Sequence, residues 1–360
     1  MLKEYASQGT WQIEGTEKNE IPGNKLIIAD AEIANVILRE TGKTLEEIQK
    51  EINITGKPNS FDLKNIAVEF QLAKKVENVF GENIIAITEG SDPVLKNECI
   101  VISAHYDHVG ITASSEINNG ADDNGSGTSA LLEIAEAFSK MKKKPRRSVV
   151  FAWVTAEEKG LLGSEYYTMY PFFPLEKTVA NINLDMIGRS AEKEPADFII
   201  PEKSLTGPNG IYIITGNQSS ELNEITNKIC RDLHLIPSDA LSDEFKDGSD
   251  QFNFYKKGIP AVGITTGLHE DYHQPGDDLD KIDFTKMKRI CDYTILVVNE
   301  IANRKQRLVS DKDSEKINCI KFFAHRRIIF IYIQIIRVWT NIKCHLKKAL
   351  AAFKKIETKP

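Results

Sequence analysis

The sequence predicts an α/β fold in which helices cover both faces of a largely parallel sheet. Short apolar segments rich in β-branched residues recur between residues 65 and 267. Helical patterns separate these segments, and polar residues able to bind metal follow several of them. Near-continuous apolar strands that alternate with helices are typical of parallel sheets buried on both faces.

The elements follow one another in a regular order. Two short helices are predicted over residues 30–53, and the second begins at "TLEE", where Thr44 and Glu47 can form a capping box. The strand candidates are "NIAVEFQL", "NIIAITEG", "CIVISAHYDH", "SVVFAWVT", "TVANINLDMIG", "GIYIITG" and "GIPAVGITTG". The helical patterns are "SGTSALLEIAEAFSKM", "GLLGSEYYTMY", "SSELNEITNKICRDLH" and "FTKMKRICDYTILVVNEIAN".

Composition excludes some classes of protein. Residues 304–360 carry 15 Lys and Arg against 4 Asp and Glu, so the formal charge of −6 hides an acidic body and a basic tail. An acidic body argues against a nucleic-acid groove and is compatible with cation binding. The five cysteines show no CxxC spacing, which argues against a disulfide framework and against a thiolate zinc site.

Neither end of the chain predicts membrane insertion. The longest apolar run, "IIFIYIQII", is too short to span a bilayer, so no firm membrane association is expected. The first residues lack the apolar region of a secretory signal. Secretion or a periplasmic location is expected only if further residues precede Met1. Residues 304–360 are treated as a basic extension that does not continue the α/β alternation.

Polar clusters follow four of the predicted strands: "AHYDH", "TAEEKG", "LDMIG" and "LHEDYHQPGDD". Polar groups at strand ends are costly unless paired, so one shared site explains them best. His105 and Asp107 lie on the same side of a strand, so the carboxylate can hold the far ring nitrogen of the histidine. Of Glu157 and Glu158, a metal can use one while the other handles protons.

The loop "NNGADDNGSG" places two aspartates side by side. Asp122, Asn124, Ser126, Gly127 and Glu133 also fit the first, third, fifth, sixth and twelfth positions of an EF-hand calcium loop. Two features count against that interpretation: no entering helix precedes the loop, and a helix that starts near Ser126 points Glu133 away from Asp122.

Five segments together resemble the zinc aminopeptidases of peptidase family M28. They are "SAHYDHVG", "NNGADDNGSGT", "AWVTAEEKGLLGSEYY", "NINLDMIGR" and "GLHEDYHQPGDDLDKID". Their order and spacing agree with the family over about residues 60–303. The resemblance implies a three-layer αβα domain over residues 59–303 with a mixed, mostly parallel sheet. Residues 1–58 are similar to the C-terminal part of a protease-associated domain, so the chain resembles an N-terminally truncated member.

The resemblance also implies a role for each site residue and two Zn²⁺ ions per chain. Asp122 would bridge the two ions, with His105 and Asp185 on one and Glu158 and His273 on the other. Glu157 would be the general base, Asp107 would orient His105, and Tyr272 would donate a hydrogen bond to the tetrahedral intermediate. The peptide bond after the bridging aspartate is expected to be cis, and Asp123 is expected to turn away and bind backbone amides.

Other residues receive lesser roles. His108 and His269 are expected to pack or to support the ligands, because the ligand set is complete without them. Asp250 is expected to line the substrate pocket, and Gln251 departs there from the family's usual histidine. The implied activity is removal of N-terminal residues from peptides. Two alternatives stay open: a glutaminyl-cyclase-like enzyme with one zinc, and a non-catalytic relative that binds a partner. Neither residue preference nor oligomeric state follows from the sequence.

Overall fold

A computed structural model describes residues 11–16, 30–63, 66–67, 69, 76–112, 114–193, 204–216, 218–242, 245–308 and 310–311. From Gly81 onward these residues belong to one compact unit, and Glu14–Phe80 form a second, smaller unit. Most of the strand candidate "NIAVEFQL" and nearly all of the basic extension lie outside the described residues. The domain limits predicted at residues 58 and 303 stay predictions.

The larger unit is built on a seven-stranded sheet in the order β1-β3-β2-β4-β7-β5-β6. The strands are β1 (Ile84–Thr88), β2 (Cys99–His105), β3 (Ser148–Val154), β4 (Thr178–Leu184), β5 (Gly210–Ile214), β6 (Ile236–Ser238) and β7 (Ala261–Thr265). The central strands β3, β2, β4 and β7 are mutually parallel, β1 runs antiparallel to β3, and β5 runs antiparallel to β7. The predicted mixed, mostly parallel sheet is confirmed.

Helices lie on both faces of this sheet, because alternate residues along each strand point to opposite sides. Ile100 and Ile102 of β2 belong to a core shared with α3 (Gly127–Lys140), α5 (Ser220–Asp232) and α7 (Phe284–Asn303). Val101, from the same strand, belongs to a second core with Tyr167 of α4 (Leu162–Met169) and Phe254 of α6 (Gln251–Lys256). The domain therefore has three layers, as predicted.

The smaller unit contains α1 (Ala31–Leu38) and α2 (Leu45–Thr55). The capping box predicted at the start of α2 is present: Thr44 Oγ1 accepts from Glu47 N, and Glu47 accepts from Thr44 N at 2.8 Å. Gly56 ends α2 in the left-handed conformation, at φ +61°. Both predicted helices are thus confirmed within two residues of their expected limits.

Within the described residues, no helix is long and apolar enough to cross a membrane. The longest is α7, whose 20 residues bury Ile290, Val297 and Val298 in the core and leave Leu296 exposed. This amphipathic pattern is that of a helix packed on one face of a sheet.

Candidate active site

Loops at one edge of the sheet carry the side chains that the sequence analysis assigned to a metal site. β2 ends at His105, Glu157 and Glu158 lie in the turn after β3, and Asp185 follows β4 directly. His273 lies in the loop after β7. Because the carboxyl ends of parallel strands meet at the same sheet edge, residues far apart in sequence come together there.

The first cluster surrounds His105, whose side chain is almost completely buried. His105 Nε2 lies 3.3 Å from Asp185 Oδ1 and 3.4 Å from Asp123 Oδ1. Donor atoms of His105, Glu157 and Asp185 all lie within 4.8 Å of one another. One imidazole nitrogen and several carboxylate oxygens at such distances form a donor set suited to a divalent metal.

The second cluster surrounds His273. Its Nε2 lies 3.2 Å from Asp123 Oδ2 and 3.2 Å from Glu158 Oε2. Asp123 therefore directs one carboxylate oxygen to His105 and the other to His273. The two clusters share this carboxylate, which is the arrangement expected of a bridging ligand.

The prediction that Asp122 occupies this central position is wrong. Asp122 is fully buried behind the loop, where its Oδ1 accepts a hydrogen bond from Gly188 N at 2.6 Å and its Oδ2 lies 3.3 Å from His269 Nε2. Asp122 thus binds a backbone amide, the role predicted for Asp123. The cis peptide bond joins Asp123 to Asn124, one position later than predicted. The two neighbouring aspartates point in different directions, and their roles are exchanged.

A buried carboxylate from another loop fixes the backbone ahead of Asp123. Asp277 is fully buried, and its oxygens accept hydrogen bonds from Asp122 N at 3.0 and 3.1 Å and from Asp123 N at 3.0 Å. Arg189 lies 3.6 Å from Asp277 and 2.8 Å from Asp271. No pattern within "HEDYHQPGDDLDKID" predicts this role of Asp277.

The other side of the loop is held against β4. The Asn124 side chain donates to Leu184 O and accepts from Gly127 N, both at 2.9 Å. A Cβ on Gly127 would lie 2.5 Å from Leu184 O, so only glycine fits this close approach. α3 starts at Gly127 and leaves Glu133 exposed on its surface. The EF-hand interpretation is excluded, because Glu133 is exposed while Asp122 is fully buried.

Asp107 contacts the site in two ways. His105 Nδ1 lies 3.1 Å from the Asp107 backbone oxygen and 3.8 Å from its carboxylate, so the main chain is the nearer partner of the ring. The carboxylate accepts from Glu157 N at 3.1 Å and from Glu158 N at 3.3 Å. The prediction that this carboxylate orients His105 is therefore corrected: it mainly positions the two glutamates.

The electrostatics of the clusters separate two kinds of carboxylate. Burial and the neighbouring charge of Asp185 raise the pKa of Glu157 well above its usual value, although His105 opposes the shift. Burial acts in the same direction on Asp123, but hydrogen bonds from His105 and His273 outweigh it and lower the pKa of that carboxyl. Carboxylates whose pKa values are driven apart are typical of sites where one group binds charge and another transfers protons.

Three non-glycine residues next to these groups have left-handed backbones. Ala156 precedes Glu157 with φ +54°, Met186 follows Asp185 with φ +54°, and His273 itself has φ +56°. Such conformations cost on the order of 1–3 kcal/mol each and persist where surrounding structure imposes them. Their concentration around candidate ligands is typical of a functional site.

A cavity of about 260 Å³ opens beside the clusters. It is lined by Asp123, Glu157, Asp185 and Tyr272, and further by Met186, Ile214, Leu241, Phe245, Gly248, Ser249, Gln251, Gly263, Ile264, Thr265, Gly267 and Leu268. Tyr272 stacks on His273 with ring centroids 3.8 Å apart. A mostly apolar cavity lined by a few charged and polar groups is the usual arrangement of a small-substrate site.

The prediction for Asp250 is corrected. Asp250 is completely buried and is not among the cavity-lining residues, whereas its neighbours Ser249 and Gln251 are. Gln251 Oε1 accepts from Asn183 Nδ2 at 3.1 Å. The departure from histidine at position 251 therefore lies in the cavity wall, within a buried polar network.

His108 and His269 lie in different places relative to the second cluster. His108 Nδ1 lies 3.1 Å from Glu158 Oε1 and 3.7 Å from Asp123 Oδ2. Donor atoms of His108, Asp123 and Glu158 all lie within 4.8 Å of one another, so this histidine belongs to the second cluster. His269 is buried behind it, against Asp122. The sequence spacing between His105 and His108 does not indicate whether His108 is a metal ligand, supports a ligand or only packs against the site.

Two candidate metal-binding clusters that share one aspartate, at the edge of the sheet in a three-layer α/β domain, are typical of a metallohydrolase-like domain. The comparison with known families agrees: residues 83–298 match the model of peptidase family M28. This match covers more than half of the chain, which therefore belongs to family M28.

Similar proteins are known from bacteria and fungi. The chain is 27% identical over 258 residues to aminopeptidase YwaD of Bacillus subtilis, covering 69% of this chain and 51% of the relative. It is 30% identical over 239 residues to leucine aminopeptidase 2 of Arthroderma otae, covering 60% and 44%. A solved zinc aminopeptidase from Bacillus subtilis matches with a TM-score of 0.49 at 27% identity, over 62% of this chain and 51% of the other. The chain spans about half the length of these curated relatives.

Proposed function

We propose that this chain carries the catalytic domain of a dizinc aminopeptidase that removes N-terminal residues from peptides. The observation that supports it most is the position of Asp123, which directs one oxygen to each of two candidate metal-binding clusters and lines an apolar cavity. Glu157, whose pKa is raised by burial, lines the same cavity.

The donor set fits zinc. His105, Asp185 and one oxygen of Asp123 would hold the first ion, and His273, Glu158 and the other oxygen would hold the second. Imidazole nitrogens and carboxylate oxygens are the usual ligands of catalytic zinc, which keeps a position open for water. When bound, two zinc ions would polarise a peptide carbonyl and lower the pKa of a water molecule.

The residues of the chain would handle the proton and the substrate. The Glu157 carboxylate accepts the proton of the attacking water and returns it to the leaving amine, a transfer that its raised pKa favours. Asp107 keeps this carboxylate in place through the backbone amides of Glu157 and Glu158. Tyr272, which lines the cavity and stacks on His273, would donate a hydrogen bond to the oxygen that becomes negative during attack.

The cavity favours an apolar first residue. Ile214, Leu241, Phe245, Ile264 and Leu268 form much of its wall. Each buried methylene contributes about 0.8 kcal/mol, so a leucine substrate gains on the order of 2 kcal/mol over alanine. Since 1.4 kcal/mol corresponds to a factor of ten, we expect roughly 30-fold higher kcat/KM for leucine.

Hydrolysis of aminoacyl 4-nitroanilides, measured with and without a chelator, tests the proposal. Purified protein should contain two zinc ions and should lose activity with the chelator. Glu157→Gln should keep both ions and lose at least about 100-fold in kcat. Glu133→Gln, on the exposed face of α3, is the matched control and should retain full activity.

Two outcomes would contradict the proposal. Hydrolysis that is insensitive to the chelator would exclude a metal mechanism. One zinc per chain, together with cyclisation of an N-terminal glutamine and no anilide hydrolysis, would favour the glutaminyl-cyclase-like alternative.

A further inference from the structure

His108 is a largely buried histidine of the second cluster that is not among the ligands proposed above for either zinc ion. It lies three residues after His105, in the loop that follows β2, and only 12% of its side chain is exposed. Its Nδ1 lies 3.1 Å from Glu158 Oε1, which is hydrogen-bond distance. The same atom lies 3.7 Å from Asp123 Oδ2, beyond hydrogen-bond distance.

The His108 ring is held firmly in this position. Gly120 lies against it with φ +62°, and a Cβ at Gly120 would approach His108 Cγ to 2.7 Å. On another side the ring packs edge-on against His273, with ring centroids 5.7 Å apart. Because any side chain at Gly120 would collide with the ring, the loop at this point is shaped around His108.

The two oxygens of Glu158 have different partners. Oε2 lies 3.2 Å from His273 Nε2, and Oε1 lies 3.1 Å from His108 Nδ1. An ionised carboxylate can only accept, so the proton of this hydrogen bond is on His108 Nδ1. His108 Nε2 is buried and has no hydrogen-bond partner among the described residues, so the contact with Glu158 determines the tautomer.

We propose that His108 is a positioning residue for the second metal: by holding Oε1 of Glu158, it presents Oε2 alone to the ion shared with His273. This inference rests on the dizinc site proposed above. A hydrogen bond that fixes one carboxylate oxygen keeps the other in a single orientation, and partners of this kind commonly improve metal affinity by about 10- to 100-fold.

Two substitutions separate positioning from ligation and from packing. His108→Ala removes the hydrogen bond. His108→Asn keeps a donor, because the asparagine amide nitrogen is attached at the same number of bonds from Cβ as the ring Nδ1. His234→Asn, at an exposed histidine in the turn after α5, is the matched control.

Zinc affinities measured by chelator competition on the full chain give the readout, and absorption spectra of the cobalt-substituted protein report the coordination of each site. We expect His108→Ala to weaken the second binding step about 10- to 100-fold, with the first step unchanged. His108→Asn should restore the second step to within about threefold of the original chain and give the same cobalt spectrum. The melting temperature of each metal-free variant verifies folding.

Equal second-site affinity in His108→Ala and the original chain would overturn the role of His108 while leaving the dizinc proposal intact. A His108→Asn variant as weak as His108→Ala would also overturn it, because a direct ligand or a packing residue gives that result. If the original chain binds only one zinc, both the dizinc proposal and this role fail.

Discussion

Replacement of Asp277 tests whether the loop that carries Asp123 depends on a buried carboxylate from a distant segment. The side chain accepts hydrogen bonds from the backbone amides of Asp122 and Asp123, across 154 or more residues of sequence. Asp277→Ala removes both acceptors and leaves two buried N–H groups unpaired. Asp277→Asn keeps the shape and one carbonyl oxygen.

The structure allows the size of the effect to be worked out. A hydrogen bond to a charged group contributes about 1.5–3 kcal/mol, so loss of two such bonds in Asp277→Ala should lower the free energy of unfolding by about 3–6 kcal/mol. In a domain of this size each kcal/mol lowers the melting temperature by roughly 2–4 °C, which gives a decrease of about 6–24 °C. The melting temperature of Asp277→Asn should lie between those of the original chain and Asp277→Ala.

Thermal unfolding by circular dichroism, together with zinc stoichiometry, is the assay. Asp280→Ala is the matched control, since Asp280 lies three residues further on and is exposed. It should melt within about 1 °C of the original chain. If Asp277→Ala melts within 2 °C of the original chain and still binds two zinc ions, the loop does not depend on this carboxylate and the reasoning fails.

Other perturbations have equally definite outcomes. Gly127→Ala should lose about 2–3 kcal/mol of stability in denaturant unfolding, because its Cβ would lie 2.5 Å from Leu184 O; an unchanged midpoint would refute this close approach. Burial raises the pKa of Asp250 from 3.8 to about 7, so the metal-free chain loses stability as pH rises from 4 to 7. Metal-free Asp250→Asn lacks this loss of stability. The melting temperature of the variant minus that of the original chain should therefore be larger at pH 8 than at pH 5. A difference that does not change with pH would contradict the raised pKa of Asp250. Lys286→Met should lower the free energy of unfolding by about 2 kcal/mol, because buried Lys286 Nζ donates to Thr206 Oγ1 at 2.7 Å and to Gly207 O at 2.8 Å. An unchanged free energy of unfolding in calorimetry would show that these acceptors find other donors.

Much of the fold could be predicted because its strands are apolar and its helices periodic. β2, β3 and β4 are buried along their whole length, and each appears in the sequence as a mostly apolar segment, interrupted in β2 by Ser103 and in β4 by Asn181 and Asn183. β6 was missed because it has only three residues, one of them Pro237, and pairs only at the sheet edge. α6 was missed because six residues, Gln251–Lys256, are too few to show a helical period.

The site could be predicted only in part. Polar residues at the ends of parallel strands must meet, so the convergence of His105, Glu158, Asp185 and His273 follows from the topology. Which of the two adjacent aspartates faces the cluster depends on backbone dihedral angles within an irregular loop. The spacing of residues in the sequence does not determine those angles.

Contacts between segments that are distant in sequence could not be predicted from the sequence either. The hydrogen bonds of Asp277 connect residues that no local pattern relates. The same holds for His108, whose partner Glu158 is 50 residues away. When the fold is not known, the sequence does not show where the side chain of a histidine or an aspartate next to a metal ligand points.

Anomalous diffraction at the zinc edge, from crystals grown with zinc, tests most directly whether Asp123 joins two metal sites. We expect two zinc peaks, each about 2.0–2.2 Å from a different oxygen of Asp123, with no zinc in contact with Asp122. Two peaks joined by Asp122, or a single peak beside His105, would contradict the assignment of the site.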